Sequence, residues 1–155
     1  MEKRQIKALL EEAKKVFLQN ESELLENNTN ERSLTHKFAE YLQQFFGTDW
    51  SVDCEYNRAG SDPKIIEEIK HIPSVGERVE TDDIKSRTVY PDIIVHKRGE
   101  DGPNLLVIEA KKDATEVERD YDIQKLNLIK QQYNYSFSAF LNFLTQSNEI
   151  EIDVL

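Results

Sequence analysis

The sequence predicts an α/β domain, a mixed β-sheet flanked by helices, and three observations predict it. Two apolar runs, residues 89–96 and 105–112, stand one turn apart. Three stretches, 6–25, 31–46 and 115–132, carry apolar residues at helical spacing. Segments at 50–56, 135–144 and 150–154 read as further strands. The order helix, helix, strand, strand, strand, helix, strand, strand is that of a mixed sheet with helices on its faces.

Ile6, Leu9, Leu10, Ala13, Val16 and Phe17 place one apolar stripe on a first helix running to about Leu25, packed outside the domain or against a partner. Residues 26–30, Glu-Asn-Asn-Thr-Asn, break it, and Asn30 is an N-cap for a second helix. That helix aligns Leu34, Phe38, Tyr41, Leu42 and Phe45 and stops at Gly47, with Glu31 on the same stripe. His36 lies off the stripe and reads as a surface residue. Val52, Cys54 and Tyr56 alternate with polar residues, the pattern of a half-buried first strand.

Residues 57–88 form an insertion rich in charge, Gly and Pro, with a short helical piece near 65–69. It is long enough to be a functional loop whose Arg58, Lys64, Lys70, Arg78, Lys85 and Arg87 meet phosphates, and it equally suits a surface excursion. Beyond the hairpin, Thr115-x-x-Glu118 is a capping box, and Val117, Tyr121, Gln124 and Leu128 continue at helical spacing to about Gln132. Residues 135–144 read as a buried strand. Residues 150–154 alternate strictly and read as an edge strand with one wet face.

The hairpin carries the chemistry. Three apolar residues before His96 and four before Glu109 indicate strands covered on both faces. Folding the run 105–112 back on 89–96 brings its end beside the start of the first strand, so Asp92, Glu109 and Lys111 converge at one end of the sheet. Strand alternation gives Glu109 and Lys111 one face and turns Ala110 away. Carboxylate oxygens are the ligands that a hard cation such as Mg²⁺ takes, one or two of them with water completing the shell.

Pro91-Asp92, a spacer, then Glu109-Ala110-Lys111 resembles the PD-(D/E)xK motif of the restriction-endonuclease-like nuclease superfamily, over a core from about Glu31 to Leu144. The resemblance implies an αβββαβ core, here with an extra N-terminal helix, and a Mg²⁺- or Mn²⁺-dependent nuclease acting on DNA. It implies Asp92 and Glu109 as catalytic metal ligands, the Ala110 carbonyl as a further ligand, and Lys111 as the residue orienting the attacking water. It also implies an additional acid from the helix before the sheet. Glu31 stands where that acid is expected, and it equally suits a first-turn acid favoured by the helix dipole. The helix after the Glu-x-Lys strand crosses beside the active site in such folds. Gln124 and Lys125 are therefore candidates for contact with substrate or water, or else solvated helix residues. The implied products are a 5′-phosphate and a 3′-hydroxyl, and nucleases cutting both strands commonly pair as homodimers or join larger nuclease or defence complexes.

With 155 residues the chain is expected to be one domain, 1–155, in which 1–27 is the N-terminal helical segment and 57–88 the insertion. A lone Cys54 forms no internal disulfide, and His36, His71 and His96 show no zinc spacing, so a metal here is bound mainly by oxygen. No run reaches membrane-span length and no signal peptide is read, so the expected location is cytoplasmic. A formal charge of −10 opposes DNA binding, although basic residues concentrate in the middle of the sequence. That charge also supports a different class of function: a non-catalytic acidic module, either a DNA mimic or a degenerate nuclease subunit of a larger complex docked through the first helix.

Overall fold

A computed structural model describes residues 1–54, 91–99 and 101–155. The expected strand residues 55, 56, 89 and 90 and the 57–88 insertion, with its helical piece and basic residues, lie outside the described residues. The order is α1 (Lys3–Asn20), α2 (Ser22–Glu26), α3 (Glu31–Phe46), β1 (Ser51–Cys54), β2 (Ile93–His96), β3 (Asn104–Lys112), α4 (Glu116–Gln132), β4 (Phe137–Leu144) and β5 (Glu149–Val154). The described strands form one mixed sheet in the order β1-β2-β3-β4-β5. Only the β3–β4 pair is parallel, and α4 makes the crossover that a parallel pair requires. Among the described residues no helix is long and apolar enough to cross a membrane.

The sheet is covered on both faces. Ile93, Val95, Leu106, Ile108, Ala110, Leu141 and Phe143 pack with the buried stripes of α1 and α3. Ile94, Val107 and Phe140 pack with Leu126 and Ile129 of α4. This two-sided cover explains why Leu105 through Ala110 are all buried. Phe17 of α1, Phe38 of α3 and Phe143 of β4 join the layers on the first face, with ring centroids 5.8 to 6.2 Å apart. Tilted and edge-on rings at such separations add to the area they bury.

The predicted first helix is two pieces. It ends at Asn20, and Glu21 leaves helical geometry at φ −126° while its N–H closes on the Phe17 carbonyl. The Tyr41 hydroxyl donates to Glu21 Oε1 at 2.7 Å, and the bend lets α2 bury Leu25. The apolar face of α1 does not await a partner: Ile6, Leu10, Ala13 and Phe17 are fully buried within the domain. The second helix begins as predicted, with Asn30 Oδ1 accepting the Ser33 N–H at 2.8 Å, and stops before Gly47 at φ 66°. His36 is exposed, as expected, beside Glu40.

Between β2 and β3 the chain closes with the Lys97 N–H on the Pro103 carbonyl. Gly102 is required there, since a Cβ would stand 1.8 Å from the Lys97 carbonyl oxygen. The closed turn sets the register Ile93 opposite Ile108, which fixes where Asp92 meets β3.

Candidate metal centre

Asp92 occupies the bend before β2, where the ladder to β3 ends. Beyond Ile108 the strand has lost its β2 neighbour, and the Asp92 carboxylate takes the place of that strand: Oδ2 accepts the Ala110 N–H at 2.7 Å. In a strand the N–H and C=O of one residue project to the same edge, so the Ala110 carbonyl shares the edge that Asp92 occupies. The Ala110 side chain packs with the core on the α3 face, while Glu109 and Lys111 face α4.

Opposite them, α4 presents Asp122 and Lys125, three residues apart and therefore on one face. Two crossed ion pairs result. Lys125 Nζ lies 2.9 Å from Glu109 Oε1, and Lys111 Nζ lies 3.7 Å from Asp122 Oδ2. The first contact sets the Lys125 ammonium directly against Glu109 Oε1. Asp122 Oδ2 is buried without a hydrogen-bond partner among the described residues. Glu109, Asp122 and Lys125 are each only 2 % exposed. Glu31, the first residue of α3, reaches the same place from the other side and accepts the Lys112 N–H through Oε2 at 3.2 Å.

Burial pushes the Glu109 carboxyl well above its ordinary range; Lys125 opposes the shift, and repulsion from Asp92 and Asp122 adds to it. Burial likewise raises Asp122 to about 6, against the attraction of Lys111 and Lys125. Burial alone would lower Lys111, but the carboxylates of Asp122, Glu31, Glu109 and Asp92 more than offset it and hold the ammonium protonated. Lys125 is raised too, burial being outweighed chiefly by Glu109 and then Asp92.

These six side chains line one cleft of about 900 Å³ among the described residues. Arg32, His36 and Lys37 of α3 and Tyr121 of α4 form its walls. Gln124 is exposed on α4 and does not line it. Lys125 does, but it is a buried partner of Glu109 rather than a solvated helix residue.

The predicted stripe on α4 is rotated. The inward face is Asp122, Lys125, Leu126 and Ile129, and Val117 is 56 % exposed. The spacing i, i+3, i+4, i+7 was present all along, with two charged residues in its first two places. A stripe sought only among apolar residues passes over Asp122, the one member of the cluster that the sequence reading did not single out.

Among the described residues no three His, Cys, Asp or Glu side chains form a ready cage for an ion. Mg²⁺ and Mn²⁺ take one or two carboxylates and complete the shell with water. The acids lining this cleft are Glu31, Asp92, Glu109 and Asp122, and the buried Asp122 Oδ2 lacks a hydrogen-bond partner among the described residues. No family model, curated protein or solved structure matches the chain.

Proposed function

We propose that the chain is a metal-dependent nuclease that hydrolyses phosphodiester bonds of nucleic acid, with DNA the expected substrate. The observation that carries this reading is the Asp92 carboxylate on the Ala110 N–H, which sets Asp92 beside Glu109 and Lys111 at the rim of the sheet. The order α3-β1-β2-β3-α4-β4 supports it, being the αβββαβ succession that the PD-(D/E)xK resemblance implies.

In this reading Asp92 and Glu109, with the Ala110 carbonyl, hold Mg²⁺ or Mn²⁺, and Glu31 completes the acidic cluster. The bound cation supplies positive charge against the phosphate and a Lewis acid for the attack. Lys111, protonated, orients the water or holds a non-bridging phosphate oxygen. Lys125 favours the ionised form of Glu109, the form able to bind a cation. Arg32 and Lys37 stand on the cleft wall, Lys37 paired with Glu40 at 2.8 Å, and a substrate backbone entering the cleft would pass beside them.

The acidic-module reading draws less support. A DNA mimic displays its acids, whereas Glu109 and Asp122 are 2 % exposed. Docking through the first helix loses its basis because that apolar face is covered within the domain. A cytoplasmic location and pairing into a homodimer or a larger nuclease or defence complex belong to the proposal as well.

The test is incubation of plasmid and linear DNA with Mg²⁺ or Mn²⁺, beside Asp92→Ala and Lys111→Ala. Metal-dependent cleavage that vanishes in both variants supports the reading. Undiminished cleavage by both, or none by the unaltered chain, overturns it.

A further inference from the structure

The groups that the nuclease reading uses lie at the bottom of the cleft and not on an open face. Glu109 and Lys125 are 2 % exposed, and the Lys111 side chain is 16 % exposed. On the walls, Arg32 and His36 of α3 are exposed, and Lys37 of α3, Tyr121 of α4 and Leu24 of α2 are half-buried. A phosphate that meets Lys111 has therefore passed between helical walls.

The space between those walls limits what can follow it in. At about 900 Å³ the cleft falls within the range of roughly 300–1,000 Å³ that encloses a small organic molecule. Such a volume takes a short piece of one strand. In a duplex the bases behind each phosphate are paired and stacked, and a pocketed site reaches such a nucleotide only by drawing it out of the helix, at the cost of unpairing it. An unpaired strand enters without that cost.

The chemistry of the walls agrees. Gripping a duplex relies on many phosphate contacts. Single-strand sites combine a basic track for the backbone with side chains on which unstacked bases lie. Among the described residues the walls join Arg32, His36 and Lys37, the last two beside Glu40, to the apolar surface of Leu24 and Tyr121.

We infer that the cleft admits one unpaired strand of DNA, its backbone directed to Lys111 on the floor and its bases against the walls that Leu24 and Tyr121 line, and that a duplex is cut only where it opens. This rests on the nuclease reading above and adds the strand state of the substrate.

The experiment uses the full chain with labelled DNA oligonucleotides of one sequence in three forms: single strand, blunt duplex, and duplex with an unpaired tail. Binding is read by fluorescence anisotropy in Ca²⁺, a hard cation that also takes oxygen ligands. Cleavage is followed separately in Mg²⁺ or Mn²⁺, beside Asp92→Ala. The single strand is expected to bind at least about 10-fold tighter than the duplex, the scale of a stacked base, and to be cut faster by a similar factor. The tailed duplex is expected to be cut within its tail, and negatively supercoiled plasmid, which opens more readily, faster than the same plasmid linearised. Equal or tighter binding of the blunt duplex, or cuts spread through the paired part of the tailed duplex, overturns the inference. Such cuts, if lost in Asp92→Ala, would leave the nuclease reading intact. Tighter binding of the single strand with no cleavage of any form would do the reverse, and binding of neither form with no cleavage overturns both.

Discussion

The side chain of Asp92 closes the backbone of Ala110: its carboxylate accepts that N–H at 2.7 Å where β2 no longer runs beside β3. A single acid thus takes over from β2 at the β3 edge shared with the Ala110 carbonyl. Asp92→Asn keeps the shape but weakens both roles. It is expected to lower cleavage at least 100-fold and to cost about 1–2 kcal/mol of stability, the scale of a charge-assisted hydrogen bond. Steady-state cleavage and denaturant unfolding measure the two effects, and an active Asp92→Asn would remove Asp92 from the centre.

Lys111 is held protonated by the carboxylates around it. Lys111→Met removes the ammonium with little change in volume. Under the proposed function Lys111 orients water and is not a metal ligand, so loss is expected in kcat, roughly 100-fold or more, with Mn²⁺ affinity kept within a few-fold. Parallel loss of metal binding would give Lys111 a different role.

Asp122 provides a pH test in metal-free buffer. Its carboxyl is raised from 3.8 to about 6. An acid with a raised folded pKa keeps its proton in the folded state after the unfolded chain has lost it. Stability therefore falls as pH rises through that window, and the penalty persists above it. Asp122→Asn does not titrate, so its stability relative to the unaltered chain should climb between about pH 4 and pH 7, by at most about 3 kcal/mol. Unfolding midpoints across the range read this directly, and a difference independent of pH would contradict it.

Glu31 separates two roles. As a first-turn acid it stabilises α3 by about 0.3–1 kcal/mol, and Glu31→Gln would lose only that. As a member of the acidic cluster, its replacement should also weaken Mn²⁺ binding by about 10-fold, the effect of a group supporting a metal site. The bond from Lys112 N–H to Glu31 Oε2 favours the second outcome. Titration with Mn²⁺ distinguishes the two.

The Phe17, Phe38 and Phe143 cluster is independent of the centre. All three rings are fully buried. Phe143→Ala should cost about 3–5 kcal/mol and leave the metal dependence of any surviving folded fraction unchanged. A loss under 1 kcal/mol would mean that the layers are not joined there.

Much of the fold was legible because local signals agreed with the packing. Asn30 and the Thr115-Glu118 box mark helix starts, Gly47 marks an end, and unbroken apolar runs mark the strands covered on two faces. The bend at Glu21 was not legible, since it depends on the distant Tyr41 hydroxyl and on the need to bury Leu25. In the centre, alternation alone gave Glu109 and Lys111 one face. Asp122 escaped, and Lys125 reads in the sequence as a substrate contact or a solvated residue rather than as a buried partner of Glu109, because both occupy core positions that hydrophobicity assigns to apolar residues. Their burial makes sense only with the opposite charges of Lys111 and Glu109 in view. A local rule broken in favour of a charged cluster is the usual mark of a working site.

The central claim is that Asp92 and Glu109 share one cation, and anomalous diffraction from crystals soaked in Mn²⁺ tests it most directly. The account predicts one anomalous peak, about 2.1 Å from an oxygen of each carboxylate and from the Ala110 carbonyl. A peak elsewhere on the molecule, or none at Mn²⁺ concentrations that support cleavage, would contradict it.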